Sequence, residues 1–506
     1  MTNGNGSTHR LFIFGWDCAD WAVIHEGWKR GMLPNLRALC DAGESGTLMS
    51  TIPPVTAPAW TSFLTGKDPG EHGIFGFRSV DPVDYRSHVV SGGQRRGSTL
   101  IRQADNAGYR TCLVTVPWTY PPERLARGAV VPGWDAPDES LESCYPAAVG
   151  EELGGIVQRV PRRNPERSNA PRFLERQRQN ITVRERICNH LIATRDPQIF
   201  MTVFPEPDQA THLFWSTNEI PESLLLAYEA VDEAMGRIIS EHVEQADRVV
   251  VLSDHGARPI HTYVHVGKVL ADGGFLTLKS DGRKVTLARS LKRRIWNQMA
   301  PRLRNVLVRH IPSSARGVAA RAVRATPVDW STTLAFPSND EAAGIGVDIN
   351  ARPRYRNGPV PISQYATVRR DVAACLSAVK EPDSGVAVFA QVLPKEEVYK
   401  GPELASAPDL VLVPAPGFGT RRGLDLIERL SRVAVGGHRR EGVFIASWAL
   451  GLGSVIHIDE LLPRAMESCG YELDNPSDDQ EPDLAGYSEL EADEMERRLR
   501  ELGYIE

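Results

Sequence analysis

Six short apolar runs, rich in Val, Ile and Phe, constrain the fold more than anything else in this chain. They are "RLFIFGWD" (10–17), "RTCLVTVPW" (110–118), "QIFMTVFPEPD" (198–208), "RVVVLSDHG" (248–256), "DLVLVP" (409–414) and "GVFIASW" (442–448). Hydrophobicity that is nearly continuous, not alternating, marks strands buried on both faces, as in a parallel sheet covered by helices. Between the runs lie amphipathic stretches such as "PESLLLAYEAVDEAMGRIISEHV". There Leu224, Leu225, Tyr228, Val231, Met235, Ile238 and Ile239 recur near the 3.6-residue period. Strands alternating with such helices predict a layered α/β fold.

At 506 residues the chain exceeds what one core comfortably fills, so two to three domains are expected. Residues 1–260 read as the first part of an α/β core, with a Pro- and Arg-rich irregular excursion at 119–197. Residues 261–405 read as an insertion. Residues 406–506 read as a return to the core, followed by an acidic linker and a charged C-terminal helix that acts as a clasp or assembly element. Within the insertion, 283–324 holds twelve Lys or Arg and no acidic residue. A solvated helical face explains it; so would a landing strip for an anionic substrate, a partner or a lipid headgroup. The net charge of -6 gives no reason to expect a nucleic-acid polymer as partner. No secretory leader and no apolar run of about 20 residues is visible, so no transmembrane segment is expected. Seven scattered cysteines without a CxxC pair suit a reducing cytoplasm with free thiols.

Chemistry gathers where the runs end. The first ends in Asp17, the fourth in Asp254 and His255, and the third runs into Asp208. In open α/β sheets ligands sit beyond the carboxyl ends of the strands, so these side chains are expected to share one crevice. Each alone reads as a cap or turn former. "PDQATH" puts Asp208 and His212 four apart, on one helical face, with Pro207 suited to the first turn. In "DHG", Gly256 would let the chain turn so that both neighbours reach one ion. "AVGGHRREGVFIASW" supplies His438 on a glycine-rich loop. Mixed Asp and His donors suit a borderline divalent ion, zinc first and manganese as an alternative. The set is large enough for two such ions. The stretch "PPVTAPAW" then presents a single hydroxyl, Thr56, between a turn stiffened by Pro54 and Pro58 and the start of a helix. A helix start favours an anion, and a metal can activate a hydroxyl, so Thr56 is the expected covalent nucleophile.

Taken together, "FGWDCADW", "GMLPNLRALCDAGESGTL", "PPVTAPAWTSFLTGKDPGEHGIFGF", "PEPDQATH", "VLSDHG", "GGHRREGVFIASW" and the closing "YSELEADEMERRLRELGYIE" resemble, in order, the alkaline phosphatase superfamily. The likeness is to its type I phosphodiesterase/nucleotide pyrophosphatase branch. The resemblance implies a three-layer α/β/α sandwich with a mostly parallel sheet, and an inserted cap that selects the substrate. It implies one metal held by Asp208, His212 and His438, and a second held by Asp17, Asp254, His255 and Thr56. A phospho-threonine would form and be hydrolysed by water activated at the other metal. Two positions depart from the pattern: Cys18 stands where glycine is usual, and Phe77 where nucleotide pyrophosphatases carry asparagine. Arg78, the next residue, is the candidate for the missing phosphate contact, and His72 reads as structural. The expected function is two-metal hydrolysis of a small phosphate or sulfate-type ester, most simply as a phosphodiesterase/nucleotide pyrophosphatase. A phosphoryl or sulfuryl transferase, a sulfatase or phosphonate hydrolase, and a non-catalytic metal-binding scaffold remain alternatives. A homo-oligomer is compatible with the sequence.

Overall fold

The computed structural model describes residues 8–137, 141–156, 170–279, 328–339, 341–423, 428–473 and 486–502. The basic segment 283–324 and nearly all of the acidic linker lie outside them. In chain order the first strands are β1 (Leu11–Trp16), β2 (Glu44–Met49), β3 (Arg78–Val80), β4 (Ser87–Val89), β5 (Thr111–Val116), β6 (Ala129–Pro132), β7 (Ile199–Phe204), β8 (Arg248–Leu252) and β9 (Gly256–His265). They are followed by β10 (Ala335–Pro337), β11 (Ile345–Ile349), β12 (Phe389–Pro394), β13 (Leu410–Pro414), β14 (Gly417–Arg421), β15 (Leu430–Arg439), β16 (Glu441–Ala446) and β17 (Val455–His457).

Eight strands form the central sheet in the order β17-β2-β16-β8-β1-β7-β5-β6. All run parallel except β16, which pairs antiparallel with both β8 and β2. Side chains alternate across each strand, and the alternation sorts the core into two layers. Phe12, Phe14, Phe200, Phe204, Val249 and Val251 face the helices Trp21–Lys29, Ala170–Arg195 and Glu222–His242. Leu11, Ile13, Ile199, Met201, Val250 and Leu252 face Thr56–Thr65, Leu100–Asn106 and Ile458–Ser468. At about 1.5–3 kcal/mol for each large apolar side chain, two such layers dominate the driving force for folding. The fold is a mixed α/β sandwich on a large, mostly parallel sheet, as the apolar runs predict.

Three expectations need correction. The stretch 119–197 is not simply irregular: it contributes edge strand β6 and the long helix Ala170–Arg195. That helix is rich in Arg and Gln, so its apolar stripe of Phe173, Ile181, Ile187, Cys188, Leu191 and Ile192 is diluted in the sequence. The run at 409–414 does not return to the central sheet. It forms β13, antiparallel to β11 and β12, in a second sheet ordered β10-β11-β13-β12. Burial on both faces leaves strand direction open, which is why the run looked like the others. The stretch preceding "EGVFIASW" is not a loop either; it is β15, paired with β9 in a three-stranded sheet ordered β14-β9-β15.

The C-terminal helix Glu489–Leu502 inserts Met495 and Leu499, both buried, among Val55, Phe77, Trp118, Trp134 and Ala343. The Arg498 guanidinium beneath it donates to the carbonyls of Trp134, Ala136 and Pro137. Among the described residues, no helix is long and apolar enough to cross a membrane. None of the seven cysteines is in a disulfide.

Candidate metal centre

Three neighbouring strands, β8, β1 and β7, end side by side on one edge of the sheet. Gly15 lies opposite Leu252, so the register carried two residues onward brings Asp17 level with Asp254. The Asp17 N–H donates to the Phe204 carbonyl at 3.0 Å, fixing it against the end of β7. Asp208 follows on the first turn of the helix Glu206–Phe214, where Pro207 sacrifices no hydrogen bond. One turn later on the same face, His212 Nε2 stands 3.3 Å from Asp208 Oδ1.

His438 reaches this point from β15. Its Nε2 is 3.1 Å from Asp208 Oδ1 and 2.9 Å from His212 Nε2. The approach is close because Gly436 has no side chain; a Cβ there would sit 2.1 Å from the Thr211 carbonyl oxygen. The Nδ1 atoms of His212 and His438 lie 3.1 Å from the carbonyl oxygens of Gly436 and Pro54. Those acceptors favour the tautomers that leave both Nε2 lone pairs for a cation. Asp208, His212 and His438 thus offer ligand atoms within 4.8 Å of one another.

Asp17, Asp254 and His255 form a second such group, again within 4.8 Å. His255 Nε2 lies 3.2 Å from Asp254 Oδ2 and 3.4 Å from Thr56 Oγ1. The His255 ring stacks on that of His438, centroids 3.8 Å apart, so the two groups share a wall. Gly256 contributes by close approach, not by turning the chain: a Cβ would meet the Glu441 carbonyl oxygen at 2.0 Å.

The charges explain why a cation fits. All three aspartates are buried, and neither Asp17 carboxylate oxygen has a hydrogen-bond partner. Burial, reinforced by Asp254 and Asp208, pushes the Asp17 carboxyl well above its ordinary range. Burial also lifts Asp254 to about 7. Asp208 goes the other way: burial would raise it, but His212 and His438 hold it well below the usual carboxylate value. Burial and the neighbouring imidazoles push His255 well below its ordinary value, and burial lowers His438. Imidazoles held neutral by burial beside buried carboxylates are what divalent ions need.

Thr56 is the first residue of the helix Thr56–Thr65, wholly buried, preceded by Val55, which makes no side-chain cap. Ala59 N–H already donates to the Val55 carbonyl and Pro58 has no N–H, so the N–H groups of Thr56 and Ala57 are left at the open end. The helix therefore presents its positive end beside the hydroxyl.

Cys18 adopts φ 62°, the left-handed conformation that favours glycine, which accounts for the family's usual residue there. Its N–H donates to Asp254 Oδ1 at 3.1 Å, and its thiol contacts the Gly256 carbonyl at 3.5 Å. Burial, then the surrounding carboxylates, keep that thiol protonated well above its usual pKa. His72 is structural: buried, lowered by burial to about 3, its Nε2 2.9 Å from Ser62 Oγ and its Nδ1 accepting the Ile74 N–H. Arg78 is not brought to the site. Its guanidinium is spent on Ser87 Oγ at 2.9 Å and Glu496 at 3.2 Å.

A cleft opens beside His212 and His438, walled by Val55, Phe77, Ala342 and Ala343 and by Glu341. Sequence reasoning missed Glu341; nothing in "SNDEAAG" distinguishes it from any polar turn. It also missed the buried ion pair between Arg184 and Glu206, 2.9 Å, which anchors the start of the Asp208 helix.

Comparison with known proteins identifies the family. The family model described as type I phosphodiesterase / nucleotide pyrophosphatase matches residues 11–424. Phosphonoacetate hydrolase from Sinorhizobium meliloti 1021, solved with phosphonoformate, superposes with a TM-score of 0.58 at 15% identity, over 93% of this chain and 98% of that one. Murine ectonucleotide pyrophosphatase / phosphodiesterase 5 does so with 0.51 at 11% identity, over 94% and 97%. An inactive form of the murine protein, solved with AMP, gives 0.51 at 10% identity, over 95% and 97%. No curated protein matches the sequence. The chain belongs to the type I phosphodiesterase/nucleotide pyrophosphatase family.

Proposed function

We propose that this chain hydrolyses small phosphate or phosphonate esters through a covalent intermediate on Thr56. The observation that carries the reading is the Thr56 hydroxyl, buried at an open helix start and 3.4 Å from His255, between two Asp/His groups. Asp208, His212 and His438 would hold one divalent cation and Asp17, Asp254 and His255 a second, with Thr56 beside it; zinc is the first candidate and manganese the alternative. Such ions supply charge withdrawal from the hydroxyl and from the phosphoryl oxygens.

Thr56 Oγ1 attacks phosphorus, the new O–P bond forms, the bond to the leaving oxygen breaks in line, and the hydroxyl proton ends on that departing oxygen, which leaves as the alcohol. Water then cleaves the Thr56–phosphorus bond and returns the hydroxyl. The N–H groups of Thr56 and Ala57 offer hydrogen bonds to a nonbridging oxygen throughout, and they need no reorganisation because the helix fixes them. Phe77, which lines the cleft where nucleotide pyrophosphatases carry asparagine, favours a small ester over a dinucleotide. Glu341, Ala342 and Ala343, between β10 and β11 of the second sheet, lie in the insertion 261–405, which takes the part of a substrate-selecting cap. Transfer to an alcohol instead of water would use the same Thr56 chemistry.

The test is hydrolysis of bis-p-nitrophenyl phosphate by zinc- or manganese-loaded protein. Activity should vanish with chelator and in Thr56→Ala, while that variant keeps its metal content. Turnover persisting in Thr56→Ala refutes the covalent role.

A further inference from the structure

Asp20 begins the helix Trp21–Lys29, and its side chain caps that helix by accepting the Ala22 N–H at 2.8 Å. One acceptor is all that such a helix start requires. The Asp20 carboxylate, wholly buried, also reaches segments 237 and 419 residues away in sequence. Its Oδ2 accepts the Ala257 N–H at 3.0 Å, and the Arg439 guanidinium donates to both oxygens, at 2.6 Å and 2.9 Å. Gly256 admits it, since a Cβ there would lie 2.9 Å from Asp20 Oδ2. On the opposite side, the Tyr228 hydroxyl accepts the Asp20 N–H at 3.1 Å and donates to the Cys18 carbonyl at 3.3 Å, which pins the turn that leaves β1.

The three segments joined at this carboxylate are ones that carry candidate metal ligands. Asp17 and Asp20 share the turn after β1, Asp254 and His255 lie just before Ala257, and His438 precedes Arg439. We infer that Asp20, with Arg439, is a positioning residue of the metal centre, holding those segments in the register at which Asp17, Asp254, His255 and His438 converge. The inference rests on the metal-dependent hydrolase reading proposed above. Stability alone does not account for the pair. A buried ion pair recovers little more than the cost of stripping its charges of water, so well-packed apolar side chains would serve a fold as well. What apolar side chains do not supply is direction. A bidentate arginine–carboxylate pair fixes both distance and plane, and the Ala257 N–H on one of the same oxygens ties β9 to it. Loss of the groups that orient metal ligands typically weakens metal binding by roughly 10- to 100-fold.

The experiment titrates zinc into the metal-free full chain by calorimetry, as wild type, Asp20→Asn and Arg439→Gln, each first shown to be folded by circular dichroism. Arg439 is the more open member of the pair, its side chain 35% exposed, so its variant decides the matter even where Asp20→Asn does not fold. In each folded variant at least one zinc equivalent should bind about tenfold more weakly than in wild type, or weaker still. A variant that melts at a lower temperature yet binds zinc within about twofold of wild type has lost only stability, and that result overturns the inference. If wild type takes up zinc but hydrolyses no ester, the hydrolase reading fails while the zinc affinities still decide the role of Asp20. If wild type takes up no zinc, both fall.

Discussion

Asp135 gives the sharpest stability test, because its charge is trapped away from the metal centre. It is fully buried beneath the C-terminal helix; one carboxylate oxygen accepts the Tyr120 N–H at 3.3 Å and the other has no partner. Burial raises its pKa from 3.8 to about 6. The folded chain therefore keeps a proton that the unfolded chain releases from about pH 4 upward. With a raised folded pKa, the group carries no penalty below about pH 4, and a penalty that grows until pH passes about 6. A shift of about 2 units at 1.36 kcal/mol each sets the plateau at about 3 kcal/mol. Asp135→Asn removes the titration. Its stability relative to wild type should rise by about 2 kcal/mol between pH 4.5 and pH 8, the first ~1 kcal/mol of the penalty being already present at pH 4.5, and this is roughly 2 °C in Tm for a chain of 506 residues. Any offset from accommodating the new amide is independent of pH, so the slope carries the test. Scanning calorimetry across that range, with a difference that stays flat or shrinks as pH rises, would refute the reasoning.

Other perturbations follow from the same contacts. Arg184→Met leaves Glu206, 1% exposed, as an unpaired buried charge and should cost about 3–5 kcal/mol; adding Glu206→Gln should recover much of it, and additive losses in a double-mutant cycle would show that the pair does not act as a unit. Leu499→Ala removes a wholly buried side chain from the contact with Val55 and Phe77 and should cost about 2–5 kcal/mol by thermal or urea unfolding. Gly436→Ala places a Cβ 2.1 Å from the Thr211 carbonyl, forcing β15 and the His212 helix apart. Bound metal, measured by elemental analysis after dialysis, should fall by one equivalent, with the fold retained by circular dichroism.

What the sequence displays and what it conceals divide along physical lines. The central strands were legible because β1, β7 and β8 are buried on both faces and so are apolar throughout. β2, "ESGTLM", and β6, "AVVP", escaped notice: one is only half-buried and lies near the sheet edge, and the other is four residues long. The residues that gather at the centre were legible because Asp17, Asp208, Asp254 and His255 lie at or just past apolar runs, His212 lies four residues along a helix from Asp208, and His438 lies just before the run at 442–448. Arg78 failed as a phosphate contact because adjacency in sequence says nothing of which side a strand residue faces. Glu341 was invisible for the opposite reason: its place beside the cleft comes from accepting the N–H of Phe77, 264 residues away in sequence.

The parallel direction of the sheet is what makes the centre possible. Neighbouring strands lie about 4.8 Å apart, so three parallel neighbours deliver three chain ends along one edge at that spacing. Asp254, Asp17 and the β7 exit that leads to Asp208 occupy those places in the order β8, β1, β7. Asp17 stands in the middle, which is why it suffers repulsion from both Asp254 and Asp208. An antiparallel β1 would have sent Asp17 to the far edge and left two carboxylates too widely separated to share a reaction centre. The one antiparallel strand, β16, serves the site by its direction as well. It runs away from the crevice, so the turn that enters it lies at the crevice, and His438 at the end of β15 is delivered there, opposite Ala257. Strand direction, more than any single side chain, thus determines that six candidate donors from four separate segments meet near one hydroxyl.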